Sequence, residues 1–150
     1  MNYLNEAYKE AKKALKINEV PVGAVIVKDN KIIARAYNKK EINNDPLGHC
    51  ELIAIKKACK KLNSWRLIGC DIYVTLEPCV MCLGALVHSR INKIYYGTID
   101  NRYGAIEGNL HLLSENNFNH IPEYENLKDE NCSKILKDFF TEKRKKNTQE

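Results

Sequence analysis

Apolar side chains at Leu4, Ala7, Ala11, Ala14 and Leu15 recur at the three-to-four-residue interval of a helix, with Lys9, Lys12, Lys13 and Lys16 among the polar positions. The pattern predicts an amphipathic helix over residues 2–18, ended by Pro21. Residues 22–27 and 32–37 are β-rich runs separated by Asp29-Asn30, a pair suited to a tight turn, and together they predict a hairpin. A polar loop over 38–46 leads to a helix over 49–62, with Leu52, Ile55, Ala58, Cys59 and Leu62 on its inner face. Residues 71–76 form a strand, which Pro78 ends while suiting the start of a helix over 79–88. A fourth strand is predicted over 93–98. Gly104 and Gly108 mark a loop, a short helix is predicted over 110–113, and a last helix carries Cys132, Ile135, Leu136, Phe139 and Phe140. The basic run 143–146 is expected to fray.

A hairpin followed by helix, strand, helix, strand and helix is best accommodated by a mixed sheet with helices on both faces, a three-layer α/β/α domain. The 150 residues fall within the usual size of one such domain, so residues 1–150 are expected to form a single unit. No internal repeat divides them. In sheets of this kind ligands collect beyond the carboxyl ends of the strands. Cys79 follows the 71–76 strand almost at once.

Composition narrows the chemistry. With 44% hydrophobic residues the chain can build a core without disulfides, which excludes disorder as its main state. No apolar run approaches the roughly 20 residues that span a bilayer, and Met1-Asn2-Tyr3-Leu4-Asn5-Glu6 has neither a basic start nor an apolar signal segment, so a cytoplasmic protein without membrane association is expected. Reducing conditions then favour metal binding or catalysis over bridging for its six cysteines. The excess of 24 Lys and Arg over 19 Asp and Glu permits a polyanionic partner but does not by itself argue for one.

Cys50, Cys59, Cys70 and Cys132 are scattered, whereas Cys79 and Cys82 form a C-x-x-C directly after Pro78. Three apart on the first turn of a helix, those two thiols are neighbours, and the helix N-terminus favours their thiolates. Thirty residues upstream, His49-Cys50-Glu51 stands at another predicted helix start. H-x-E followed by P-C-x-x-C is the signature of zinc nucleobase deaminases. His49, Cys79 and Cys82 would hold Zn2+ and leave a fourth tetrahedral position for water, and Glu51 would act as general acid and base. Residues two apart in a helix point to opposite sides, so His49 and Glu51 share a site only if the helix is just beginning at His49. A non-catalytic zinc or RNA-binding module is the competing reading; it needs a closed shell, for which Cys50 is the obvious fourth ligand.

These residues resemble those of the bacterial-type tRNA-specific adenosine deaminases, a branch of the cytidine-deaminase-like superfamily. The resemblance is carried by Glu19-Val20-Pro21-Val22-Gly23-Ala24-Val25, by Asp45-Pro46 ahead of His49-Cys50-Glu51, and by Tyr73-Val74-Thr75-Leu76-Glu77-Pro78-Cys79-Val80-Met81-Cys82. Gly84-Ala85-Leu86-Val87-His88-Ser89-Arg90-Ile91 and the closing Asp138-Phe139-Phe140 with its basic tail extend it. It implies a five-stranded mixed sheet between helices, a zinc ion, a homodimer, and hydrolysis of adenosine to inosine at the wobble position of a tRNA anticodon stem-loop. It also implies that Asn38 contacts the flipped nucleoside and that Arg102 and Arg144 lie near the RNA. Cys50 stands where the family usually has Ala, Leu47-Gly48 replaces a small hydroxyl residue and Ala, and Ile106-Glu107 interrupts a run of small residues after Gly104-Ala105. Deamination of a free base or nucleoside such as guanine or cytosine is the alternative activity, for which a basic segment over 141–150 would be unnecessary.

Overall fold

The computed structural model describes residues 1–114 and 118–149. Helix α1 (Tyr3–Lys16) is started by Asn2, whose side chain accepts the Asn5 N–H at 3.0 Å. Its buried face consists mostly of alanines, Ala7, Ala11 and Ala14, and it lies so close to Gly23 that a Cβ there would run into the helix backbone. Strands β1 (Gly23–Lys28) and β2 (Lys31–Tyr37) form the expected hairpin, with Lys28 opposite Lys31. Asp29 and Asn30 take φ of 50° and 62°, the two left-handed residues that a tight turn of matching twist requires.

The sheet is mixed and five-stranded, in the order β2-β1-β3-β4-β5. Strand β3 (Cys70–Val74) pairs antiparallel with β1 and parallel with β4 (Lys93–Tyr96), which pairs parallel with β5 (Glu123–Asn126). The pattern of apolar residues accounts for four of these strands. The fifth, implied only by the family resemblance, is the Glu-Tyr-Glu-Asn segment at the sheet edge, largely exposed and without alternation.

Side chains alternate between the two faces. Val25 and Val27 pack with Ala7 and Tyr3 under α1, whereas Ala24, Ile26, Ile72, Val74, Ile94 and Tyr96 join Ala54 and Ala58 of α2 (Cys50–Leu62) and Leu83 and Leu86 of α3 (Val80–His88). Ile26, Ile72 and Ile94 are fully buried, each removing apolar surface worth about 1.5–3 kcal/mol from water. The three-layer α/β/α class is therefore observed. Helix α4 (Glu130–Gln149) adds Ile135 and Leu136 to the core, and Cys132 fits closely against Gly97.

Two local expectations are corrected. Residues 143–146 continue α4 as helix where fraying was expected, because the run Lys134–Lys146 is free of Gly and Pro and carries the i,i+4 pair Lys134–Asp138 and the i,i+3 pair Glu142–Lys145. The short helix expected over 110–113 is not formed: residues 110 and 111 are irregular and 112–114 make a turn, closed by Ser114 N–H on the His111 carbonyl. Among the described residues no helix is long and apolar enough to cross a membrane.

Candidate metal centre and its rim

Helices α2 and α3 both begin just beyond the carboxyl ends of strands, at the same end of the sheet. The chain leaves β2 at Tyr37, runs out through residues 39–47 and returns, with Lys39 N–H on the Gly48 carbonyl and Ile42 N–H on the buried Glu19 carboxylate at 2.7 Å. Asn38 closes the excursion: its Oδ1 accepts the Cys50 N–H at 2.9 Å, satisfying a donor at the start of α2. His49 is the N-cap, with an extended ψ of 141°, and the helix starts at Cys50. His49 thus leaves the backbone outside the helical turn while Glu51 lies within it, which removes the obstacle to their sharing a site.

The start of α3 repeats the device. Glu77 N–H bonds the Thr98 carbonyl, Pro78 follows, and Cys79 is an N-cap with ψ of 176°. Cys82 lies one turn inside, buried. The donor atoms of His49, Cys79 and Cys82 all lie within 4.8 Å of one another, and His49 Nδ1 is 3.8 Å from Cys79 Sγ. Ligands bonded to a tetrahedral zinc at about 2.0–2.3 Å are themselves about 3.3–3.8 Å apart; His49 and Cys79 stand at that spacing, and two thiols with one imidazole are the donor chemistry that a single zinc ion takes. Cys50 is outside the group. Its thiol is buried and donates to Glu51 Oε1 at 3.2 Å.

The charges follow from these contacts. The Cys82 thiol and the His49 ring hold the Cys79 thiol down to about 4. Cys82, as donor to Cys79 and in burial, is pushed up. His49 is raised by its contact with Cys79. Glu51, 4% exposed, is raised by desolvation, and burial likewise raises Cys50.

A second loop, residues 98–109, forms the other wall. It folds over the connection that carries Cys79: Ala105 N–H bonds the Pro78 carbonyl at 3.0 Å, and the buried Glu77 carboxylate accepts the N–H groups of Asp100, Ile106, Glu107 and Gly108. Ile106 and Glu107, two of the residues that depart from the family pattern, are absorbed here. Ile106 is buried in the core, and the Glu107 carboxylate accepts the Tyr96 hydroxyl. Arg102 and Tyr103 face outward, with the guanidinium 5.2 Å from the ring centre.

The structure therefore brings His49, Cys79 and Cys82 together, sets Glu51 beside His49, hydrogen-bonds Asn38 to the same helix start, and carries Arg102 on a loop tied to the Cys79 connection. Arg144 is exposed on α4, where it bonds Thr141, and among the described residues no hydrogen bond or ion pair links it to the cluster. Arg90, with a φ of 64°, donates to the carbonyls of Val87 and His88 and so closes the end of α3. Glu77 and Glu19, the two buried carboxylates that hold the rim loops, carried no signal as individual residues; only the loops folding back onto them reveal their role.

The chain is similar to known proteins over most of its length. The model of the MafB19-like deaminase family matches residues 1–144. The tRNA-specific adenosine deaminase of Bacillus subtilis is 47% identical over 145 residues, covering 96% of this chain and 90% of that one. A solved structure from work on A-to-I editing by tRNA:A34 deaminases at the wobble position of transfer RNA superposes with a TM-score of 0.86 at 39% identity, over 89% of this chain and 98% of the other. The guanine deaminase of Bacillus subtilis is similar over a shorter span, 66% of each chain, with a TM-score of 0.63 at 40% identity.

Proposed function

Because this chain belongs to the tRNA-specific adenosine deaminase family, we propose that it hydrolyses adenosine to inosine at the wobble position of a tRNA anticodon. The substrate is the anticodon stem-loop, the cofactor is Zn2+ held by His49, Cys79 and Cys82, and the working form is a cytoplasmic homodimer. One observation supports this above the rest: the three ligand-type side chains converge within 4.8 Å beside a buried glutamate.

Zinc bound there supplies Lewis acidity, which lowers the pKa of a water toward 7. The remaining work falls to the protein. Glu51 takes a proton from the attacking water and delivers it to the ring nitrogen next to the amino-bearing carbon; it then takes the remaining proton of the newly added hydroxyl, which becomes the carbonyl of inosine, and passes it to the amino group, which leaves as ammonia. Its burial suits this role, because desolvation raises a carboxyl toward the range where it can both accept and return a proton. Asn38 has its Oδ1 engaged by Cys50 and makes no hydrogen bond through Nδ2 within the described residues, which leaves that amide to orient the purine. Arg102 and Arg144 bind phosphates of the loop. A single-stranded loop is the natural substrate, since its base can be turned out at little cost.

Mass spectrometry of a stem-loop incubated with zinc-loaded protein tests the reading. A gain of about one mass unit at the wobble nucleotide is expected, absent with Glu51→Ala. The likeness to guanine deaminase favours one alternative, and release of ammonia from free guanine with the stem-loop unaltered would establish it instead.

A further inference from the structure

Glu77 takes no part in those proton transfers, yet it is 2% exposed and stands two residues before Cys79. Its Oε1 accepts the Asp100 N–H at 2.9 Å, its Oε2 accepts those of Ile106 at 2.8 Å and Glu107 at 2.6 Å, and the Gly108 N–H lies 3.1 and 3.0 Å from the two oxygens. An ionised carboxylate offers about four lone-pair sites, and here one loop fills them from its backbone alone. Successive N–H groups converging in this way make an anion-binding nest, and the anion is supplied by the chain itself.

The fit is close on both sides. A Cβ on Gly104 or on Gly108 would strike the Glu77 carboxyl group, so glycine lets the peptide planes reach the oxygens. The loop is further pinned by Glu77 N–H on the Thr98 carbonyl and by Ala105 N–H on the Pro78 carbonyl. On its far side it presents Arg102 and Tyr103 to solvent.

We infer that Glu77 is a positioning residue, which holds the 98–109 loop in fixed register with the connection bearing Cys79 and so presents Arg102 and Tyr103 at a set distance from the reacting base. The presentation to RNA rests on the function proposed above; the anchoring of the loop does not. Hydrolysis needs the cluster, whereas docking of a large substrate needs the rim. Loss of the carboxylate therefore affects binding of the stem-loop more than the chemical step.

Glu77→Gln keeps the shape but turns an NH2 toward backbone donors. In the zinc-loaded full chain, hydrogen exchange of the 98–109 peptides is expected to quicken more than about tenfold while α1 and β1 peptides stay as in wild type. Zinc content is expected to match wild type, and KM for the stem-loop to rise about tenfold with kcat within about threefold, the pattern of lost uniform binding. Adding Arg102→Ala to Glu77→Gln is expected to weaken binding less than it does in the wild-type background, because the two act through one loop. Should Glu77→Gln fail to fold, Gly104→Ala, whose Cβ meets the Glu77 carboxyl group first, is expected to give the same exchange and KM changes. Unchanged exchange in both variants, loss of zinc with Cys79, or a lowered melting temperature with unaltered KM overturns the inference. A wild-type protein inactive on the stem-loop, with loop exchange still quickened by Glu77→Gln, overturns the functional reading and leaves the anchoring established.

Discussion

The Cys50 thiol donates a hydrogen bond to Oε1 of Glu51 at 3.2 Å, so the residue between the imidazole and the carboxylate of the H-x-E motif attends to the carboxylate. Both side chains are buried, and the bond holds one carboxylate oxygen inward. Cys50→Ala removes a bond worth about 1 kcal/mol. A fall in kcat of roughly fivefold with KM unchanged is expected in steady-state assays, and Cys50→Ser, which keeps a donor, should lie closer to wild type. X-ray absorption of the zinc-loaded protein should count two sulfurs in wild type and in Cys50→Ala alike.

Cys79 gives the metal-free protein an unusual reactivity. Because its thiol is held down to about 4, it is a thiolate throughout the neutral range, while burial raises Cys50 and takes Cys132 up to about 12. Iodoacetamide labelling followed by peptide mass analysis should modify Cys79 nearly as fast at pH 6 as at pH 8. Labelling of Cys59, raised by burial, should fall about tenfold per pH unit over the same interval. Loading with zinc should abolish the Cys79 signal and leave that of Cys59.

Glu51 should make the metal-free fold sensitive to alkali. Its folded value is raised by burial, so its stabilising contribution is complete below the unfolded carboxyl value and is lost as pH climbs through the folded one. Glu51→Gln, neutral at every pH, is expected to melt a few degrees above wild type at pH 8, the size of a change of about 1 kcal/mol in a domain this long. The gap should close near pH 4. A gap independent of pH would mean that desolvation of the carboxylate is not its source.

Two substitutions separate the two ends of the Asn38 amide. Asn38→Ala removes the acceptor for Cys50 N–H and should cost about 1 kcal/mol by thermal melting, as lost helix caps do. Asn38→Asp keeps that acceptor and replaces the donor with an oxygen. Its melting temperature should stay near wild type while kcat/KM on the stem-loop falls about tenfold or more, the loss of one or more hydrogen bonds to the base.

How far the sequence discloses the molecule depends on whether a feature is local. The hairpin is legible because Asp29-Asn30 encodes its turn in two residues. The convergence of His49, Cys79 and Cys82 is legible because each motif sits at a helix start and its spacing constrains its geometry. Strand β5 escapes, since Glu123–Asn126 is held by pairing with β4 and carries almost no buried face of its own. Glu77 escapes as well: its significance lies in four amides more than twenty residues away, which no local pattern announces. Arg144 is set near RNA by the family resemblance alone, and among the described residues its side chain bonds Thr141 of its own helix.

The two-residue step from His49, outside the first turn of α2, to Glu51, within it, makes the length of that junction as consequential as its chemistry. An inserted residue would swing the carboxylate about 100° around the helix axis, enough to aim it away from the imidazole with every functional group still present. Exchange of the middle residue is tolerable; a change in register there is not. Among natural relatives and designed variants, codon insertions at this tripeptide should accordingly be far scarcer than replacements at its centre.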